Sequence, residues 1–257
     1  MDKILIFISG AIVGSFLNVC IYRLPKGESI VSPGSHCPKC RRPIFWYDNV
    51  PILSYVILKG RCRFCKIPIS PGYIIVEVIT ASLAVALFTA FVLGPKFAAY
   101  SLLSAGLIVA TFVDLEIREI PDEISLGGLV VGLVFVAILP GTLGAASWSR
   151  ALIGSALGAF AGGGSIYLMG FFGEMVFKKE AMGGGDVKLM AMIGAFLGWK
   201  LALLTFFIAP LFGSIAGLIL KVKDGRDIMP YGPYLSLAAV TSIFWGDKVL
   251  RMLFYGM

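Results

Sequence analysis

The chain has 257 residues, of which 58% are hydrophobic and only 14% are charged, and its mean hydropathy is +0.90. Soluble domains carry about 25% charged residues, so this chain has too little polar surface for a water-soluble fold, and its low charge and high apolar content exclude intrinsic disorder. Composition therefore excludes a soluble enzyme and predicts an integral membrane protein.

The formal net charge of +7 lies in one segment. Between Arg23 and Gly72 there are nine Lys and Arg residues and two acids, whereas the rest of the chain is neutral. A basic loop between apolar spans is held on the cytoplasmic side of a membrane. Nucleic-acid binding is the weaker interpretation of this charge. We therefore predict that the protein's partner is a lipid bilayer and that it does not bind nucleic acid.

Apolar stretches long enough to cross a bilayer, roughly 17–25 residues, occur six times. They are Ile4–Tyr22, Tyr73–Leu93, Phe97–Val113, Ile124–Pro140, Ala151–Gly173 and Leu201–Leu220. Two weaker spans are Val187–Trp199, with a turn at Lys200, and Tyr234–Phe254, which has three charges in its last third. The sequence thus predicts an all-α polytopic membrane protein with about eight transmembrane helices and both termini outside the cytoplasm.

Four cysteines of the basic loop form two C-x-x-C pairs, Cys37/Cys40 and Cys62/Cys65. Such pairs suit one tetrahedral zinc ion, because each pair can direct two thiolates at it. Two disulfides are the alternative, which a reducing cytoplasm disfavours. We predict a small zinc-bound loop domain between the first two membrane helices. A site with four protein ligands is structural, and the single histidine, His36, is expected to be a bystander.

Acidic residues close to the predicted spans are rare in this chain, and such residues are functional candidates by default. Asp114 ends the third span, and Asp186 follows Gly183, Gly184 and Gly185 at the start of a later span on the same, cytoplasmic side. Two close carboxylates share a proton, so that one can deprotonate water while the other protonates a carbonyl oxygen. Glycines without a Cβ would let a substrate backbone approach.

A structural role explains the same residues about equally well. Asp114 and Asp186 could cap helices or pair with Arg118 and Lys188, and Asp186 precedes an apolar run as an N-cap does. Asp122 follows Pro121 where an N-cap of the fourth span belongs, with a supporting role in the site as a second interpretation. Glu77 lies one turn inside the second span. Two interpretations remain open: it is buried in its neutral form, or it pairs with a residue of the basic loop.

Motifs along nearly the whole chain resemble those of bacterial type IV prepilin peptidases. The amino-terminal half contributes Gly14-Ser-Phe-Leu-Asn18, Tyr22-Arg-Leu-Pro25, Glu28-Ser29, Cys37-Pro-Lys-Cys40, Asp48-Asn49-Val-Pro51, Gly60-Arg-Cys62 and Tyr73 to Glu77. The other half contributes Asp114 to Ile120-Pro-Asp122, Gly183-Gly-Gly-Asp186-Val-Lys188 and Pro230-Tyr-Gly-Pro233. The combination is far more specific than any single motif.

This resemblance implies a bifunctional bacterial inner-membrane enzyme. Such enzymes cleave type IV prepilins and type II secretion pseudopilins after a glycine on the cytoplasmic side, then N-methylate the new terminus with S-adenosylmethionine. The family's catalytic aspartates correspond to Asp114 and Asp186, as in GxGD-type membrane proteases, with support expected from Gly183, Gly184, Gly185, Asp122 and Lys188. For the methyl-donor site we predict Asn18, Glu28, Asn49 and Glu77. Asn18 has an alternative role in helix–helix hydrogen bonding.

The predicted domains are a first helix (1–22), a zinc-binding domain associated with methyl transfer (23–72) and an aspartyl peptidase domain (73–257). Two other functions fit part of the pattern. A peptidase without methyltransferase activity would leave the zinc loop unexplained. A proton-coupled transporter would need acidic residues near the bilayer midplane, whereas those of this chain cluster at one face.

Overall fold

The computed structural model of the protein describes residues 1–178, 182–224 and 230–255, and within these ranges helices are the only regular elements besides two isolated β-bridges. The α-helices are α1 (Asp2–Arg23), α2 (Leu53–Ile57), α3 (Gly72–Phe91), α4 (Pro95–Ile117), α5 (Asp122–Ile138), α6 (Trp148–Phe177), α7 (Gly184–Asp224) and α8 (Gly232–Tyr255). Among the described residues, α1, α3, α4, α6 and α7 are long and apolar enough to cross a membrane. The prediction of an all-helical fold is confirmed for the described residues, and the five apolar helices agree with the prediction of an integral membrane protein.

The chain forms two compact units, residues 1–93 and 94–257. In the first, α1 and α3 run antiparallel. A Cβ added at Gly14 would lie 2.8 Å from the Glu77 Cα, and one added at Gly10 would lie 2.8 Å from the Ala81 Cα. Glycines four residues apart let two membrane helices approach closely. Because α3 packs on α1, the structural units differ from the predicted functional division at residue 72, which stays a prediction.

Between α1 and α3 the loop contains two turns of the same design, one around each C-x-x-C pair. In each turn the first cysteine exchanges two backbone hydrogen bonds: Cys37 with Arg41 and Arg42, and Cys62 with Lys66 and Ile67. The residue after the second cysteine has a positive φ, 54° at Arg41 and 58° at Lys66. An antiparallel bridge then closes each turn, His36 to Pro43 and Arg61 to Pro68.

The second unit is a bundle whose helices alternate in direction. Asp114, near the end of α4, accepts a hydrogen bond from Gly232 at the start of α8, and Leu107, earlier in α4, accepts one from Ser236, later in α8. Helices α4 and α8 are therefore antiparallel. Helices α6 and α7 are also antiparallel, since Gly162 approaches Met190 and Gly158 approaches Gly194. The ends of α4 and the starts of α5, α7 and α8 therefore gather at one end of the unit.

Helix α7 contains a reversal of direction at Gly198, where φ is 76° and ψ is 168°. Beyond it the chain packs antiparallel to α8, with Leu201 and Leu204 beside Gly246 and Gly213 beside Tyr231. The predicted turn at Lys200 is therefore wrong by two residues. Glycine tolerates this positive φ, which other residues rarely adopt.

The eight predicted spans correspond to α1, α3, α4, α5, α6, the two halves of α7, and α8. Helix α5 has 17 residues and α8 carries charges in its last third, and neither is among the five candidates. The number of crossings consequently remains a prediction.

Candidate active site and metal centre

Two buried aspartates lie at the end of the second unit where α4, α7 and α8 meet. Asp114 is in the last turn of α4. The helix ends at Arg118, which has a left-handed backbone and donates its N–H to the Asp114 carbonyl. Asp186 is in the first turn of α7. They are 5% and 9% exposed, and their carboxylates are close enough to interact electrostatically. The structure thus brings the two predicted acids together.

Small contacts between the helix ends position these acids. The N–H of Gly232, at the start of α8, donates to Asp114 Oδ2 at 2.8 Å. The Ile120 side chain lies next to both Gly232 and Gly185, so it links the α8 start to the α7 start. Gly232 was not among the predicted site residues, although it belongs to the Pro230-Tyr-Gly-Pro233 motif. The sequence feature that could have identified Gly232 is a glycine in a short segment with a proline at each end, but glycine has no side chain to suggest a chemical role.

The three predicted glycines have different surroundings. A Cβ on Gly183 would lie 3.4 Å from Asp186 Oδ2, and one on Gly185 would lie 3.2 Å from Ile120. Gly184 has open space around it. Gly183 and Gly184 are exposed, so the backbone on this side of Asp186 is accessible, as a site for an extended substrate requires.

Asp122 does not cap α5. The N-cap is Pro121, which has no capping side chain, and Asp122 is the first helical residue. Its carboxylate instead accepts from Lys188 Nζ at 2.6 Å, with both side chains exposed. Proline at the cap position shifts the helix start by one residue, which the sequence pattern missed. Within the described ranges, no ion pair involves Asp114 or Asp186, so the alternative pairing of Asp186 with Lys188 is also wrong.

The four loop cysteines form a group that could hold one metal ion. Their sulfur atoms all lie within 4.8 Å of one another, and Cys37 Sγ is 3.7 Å from Cys65 Sγ. Four thiolates around zinc at 2.3 Å have sulfurs about 3.8 Å apart, so the arrangement fits. All four cysteines are free, and His36 is outside the group, with Nδ1 3.0 Å from the Gly34 carbonyl.

Beside this centre the first unit contains a cavity of about 350 Å³, within the range of small-molecule sites. Asn18, Asn49 and Glu77 line it, whereas Glu28 is exposed and lies outside the lining. Asn18 Nδ2 donates to the Tyr73 carbonyl at 2.9 Å, the helix–helix bond that was its alternative role. Glu77 Oε2 accepts from the Ile52 N–H at 2.7 Å, so its loop partner is a backbone group.

Arg23 is a cavity residue that the sequence interpretation counted only as part of the basic loop. It ends α1, is 6% exposed and lines the cavity. Its guanidinium donates to the carbonyls of Ser29 and Pro33, each at 2.7 Å. No carboxylate within the described residues pairs with it. A buried cation with only neutral partners favours binding of an anion.

The cavity has one internal ion pair. Arg63, between Cys62 and Cys65, forms two hydrogen bonds with Asp48, at 2.6 Å and 2.5 Å. These bonds and the Arg63 charge hold the pKa of Asp48 below its usual value. The pair ties the second cysteine turn to residues 46–48, so the metal centre and the cavity wall share one framework.

Comparisons with known proteins cover both units. The family model described as the bacterial peptidase A24 N-terminal domain matches residues 8–91, and that of the type IV leader peptidase family matches residues 101–218. No solved structure matches the chain. A relative from Aeromonas hydrophila, named prepilin leader peptidase/N-methyltransferase, is 34% identical over 96% of this chain and 92% of its own length.

Two relatives with the same printed name come from other bacteria. That of Pseudomonas aeruginosa is 33% identical over 94% of this chain and 90% of its own length. That of Myxococcus xanthus is 36% identical over 87% of this chain, but the match spans only 64% of the relative. With both halves matched and similarity extending over most of these chains, this protein belongs to the type IV leader peptidase family.

Proposed function

We propose that this protein is a prepilin leader peptidase and N-methyltransferase. It cleaves type IV prepilins and related pseudopilins after a glycine on the cytoplasmic side, then methylates the new terminal amine. The names of its relatives support both activities. The observation that carries the peptidase is the pair of buried, interacting carboxylates, Asp114 and Asp186, where three helix ends meet.

The carboxylate pair supplies acid and base to peptide hydrolysis. The charged carboxylate takes a proton from water while the water oxygen bonds to the scissile carbonyl carbon. The neutral carboxyl gives its proton to the carbonyl oxygen, and collapse of the resulting diol breaks the C–N bond with proton transfer to the leaving nitrogen. The Gly232 N–H fixes Asp114 Oδ2, so the acid is already oriented before substrate binds.

The cavity of the first unit is the candidate site for S-adenosylmethionine, which supplies an electrophilic methyl group when bound. Arg23 would hold the carboxylate of this donor, and Asn18 and Asn49 would offer hydrogen bonds. Of the two acids lining the cavity, Asp48 is engaged by Arg63, whereas Glu77 contacts a backbone N–H. Glu77 is thus the group that can bind the terminal ammonium of the cleaved substrate and accept its proton.

Zinc bound by Cys37, Cys40, Cys62 and Cys65 would stabilise the loop domain. The loop has 3₁₀ turns, one short helix and two isolated bridges, and many of its side chains are exposed. Such a segment has little core, so metal binding supplies its folding energy. The domain around this centre (23–72) is then the methyltransferase-associated part, and the remaining helices form the peptidase.

The location follows from charge. We infer a multi-pass protein of the bacterial inner membrane, with the basic loop and the site of Asp114 and Asp186 open to the cytoplasm and both termini periplasmic, since basic loops remain inside. The final residues of the chain lie outside the described residues, so this assignment depends on the sequence pattern.

The decisive experiment uses purified protein in detergent with a prepilin and S-adenosylmethionine, followed by mass spectrometry. Asp114→Asn and Asp186→Asn should each abolish leader removal, whereas Glu116→Gln, an exposed acid on the same helix as Asp114, should retain it. Full cleavage by either aspartate variant would refute the peptidase assignment. Cleavage without any added methyl group would reduce the function to a peptidase alone.

A further inference from the structure

Tyr231 carries a buried hydroxyl that the proposed mechanism has not used. It lies immediately before α8, and within residues 1–178, 182–224 and 230–255 its phenol oxygen has no hydrogen-bond partner. Two serine hydroxyls share this property, but both are on α4 at least ten residues before Asp114, which is about 15 Å along the helix. Buried polar groups are nearly always satisfied, so this one requires an explanation.

The phenol belongs to the end of the unit that contains the two aspartates. The next residue, Gly232, donates its N–H to Asp114 Oδ2 at 2.8 Å. The negative charge of Asp186 also acts on the Tyr231 hydroxyl. Tyr231 is therefore adjacent in the chain to the residue that binds Asp114, and its hydroxyl interacts electrostatically with Asp186.

The same surroundings keep the phenol protonated. Burial, with a smaller contribution from the negative charge of Asp186, raises the pKa of Tyr231 to about 12. The hydroxyl is consequently a hydrogen-bond donor throughout the pH range in which a peptidase works. Its acceptor would be a group that arrives with the substrate.

We propose that the Tyr231 hydroxyl donates a hydrogen bond to the carbonyl oxygen of the scissile peptide bond, and that this bond strengthens as the oxygen gains negative charge. The inference rests on the proposed peptidase function and adds a substrate-contacting residue to it. Tyr231 keeps its proton throughout: the proton on the diol comes from the neutral carboxyl of the aspartate pair. Donors directed at a developing oxyanion act mainly on the transition state.

Tyr234 provides a matched control. Both tyrosines are at the start of α8, and a Cβ added at Gly213 would lie 3.7 Å from each ring. Replacement by phenylalanine removes one hydroxyl in either case and leaves the ring packing. Of the two phenol oxygens, that of Tyr231 is the one that is buried without a hydrogen-bond partner and is influenced by the charge of Asp186.

The test is steady-state cleavage of a prepilin by the full-length protein in detergent. Tyr231→Phe should lower kcat on the order of 100-fold with KM nearly unchanged, while Tyr234→Phe retains kcat. Methylation of a pre-cleaved substrate and thermal unfolding should match the wild type, which separates a lost contact from misfolding. An unchanged kcat for Tyr231→Phe, or a change in its KM alone, overturns the inference. If Asp114→Asn is inactive in the same assay, the peptidase assignment still holds. Active Asp114→Asn would overturn both.

Discussion

At the residue scale, the proposed peptidase site requires a residue without a side chain next to its acids. Asp114 is held by a backbone N–H from Gly232, and a Cβ at position 232 would lie 2.8 Å from Asp114 Oδ2. Carbon cannot approach an oxygen this closely without displacement. The glycine is therefore required for close approach, although its φ is not in the left-handed region.

We predict that Gly232→Ala lowers the cleavage rate about 100-fold, because an acid displaced by about 1 Å loses its alignment with water and substrate. Gly127→Ala, on α5 with nothing within 4 Å of its added Cβ, should cleave normally. The measurement is kcat for leader removal by purified variants. Equal rates for the two variants would contradict this account of Gly232.

Arg23 and Glu77 should separate the two activities. Arg23→Gln and Glu77→Gln should each retain cleavage and lose at least about 90% of methylation, and Arg23→Lys should restore little because an ammonium lacks the planar fork of donors. Lys59→Gln, which removes an exposed cation of the same loop, is the control. The readout is methylation of a pre-cleaved peptide; normal methylation by both variants would remove the cavity from the mechanism.

The sequence singled out the two acids and the four cysteines in different ways: the paired cysteines are a strong local signal, whereas the acids were favoured over a structural role only by the family resemblance. It did not predict the roles of Gly232, Arg23 or Tyr231. Their importance comes from tertiary contacts: a backbone N–H, a buried guanidinium and an unpartnered phenol look ordinary in a one-dimensional pattern. Asp122 was predicted one position too early in its helix because the N-cap of α5 is Pro121, and proline is a poor signal for a cap.

At the element scale, the second unit is held by a close crossing of α6 and α7. A Cβ added at Gly158 would lie 2.1 Å from the Gly194 carbonyl oxygen, and one at Gly162 would lie 2.4 Å from that of Met190. The two backbones are in direct contact there. Since lipid tails are as apolar as the side chains, such packing replaces the hydrophobic effect as the source of helix association.

We predict different effects on stability for two Gly→Ala changes on α6. Gly158→Ala should lower the free energy of unfolding by about 1–3 kcal/mol, because a methyl group forces the helices apart. Gly164→Ala, where nothing lies within 4 Å, should be neutral or add about 0.5–1 kcal/mol through helix propensity. Thermal unfolding in one detergent compares them. A stable Gly158→Ala protein would show that the helices do not touch.

At the scale of the whole molecule, the two units have different sources of stability. The membrane helices of each unit pack on neighbouring helices, whereas the loop of the first unit has little regular structure, and we expect its stability to depend on a metal held by its four cysteines. The loop charge of +7 and the four thiolates are complementary, because thiolates around zinc leave a net negative charge that nearby Lys and Arg residues offset.

Zinc removal should affect methylation far more than cleavage. A strong chelator, or Cys37→Ser, should release about one zinc ion per chain, open residues 23–72 to proteolysis and abolish methyl transfer, while leader removal persists because both aspartates belong to the second unit. Metal analysis and the two activity assays on the same sample provide the measurement. Normal methylation by zinc-free protein would contradict the structural role of the metal.

Membrane topology can be measured with reporters. Accessibility labels in the loop at residues 23–72 should react from the cytoplasm, and labels in the connection at 139–147 should react from the periplasm, because basic loops remain inside. Labelling of both from one side would refute the predicted alternation of spans.

The helical architecture was predictable because apolar length is a strong signal, and all eight stretches coincide with helical segments. What could not be predicted is which helices pair. Pairing depends on small residues such as Gly14 and Gly158 meeting a particular backbone, and composition does not identify their partners. The division into units at residue 93 likewise reflects α3 packing on α1.

The reversal at Gly198 has a consequence for the sidedness of the protein. A straight helix of the length of α7, 41 residues, would extend about 60 Å, twice the hydrocarbon thickness of about 30 Å. The positive φ of Gly198 instead divides α7 into two antiparallel segments, which the predicted topology counts as two separate crossings. The second segment runs back toward the end of the unit that holds the aspartates, where Gly213 lies beside Tyr231, the residue just before α8.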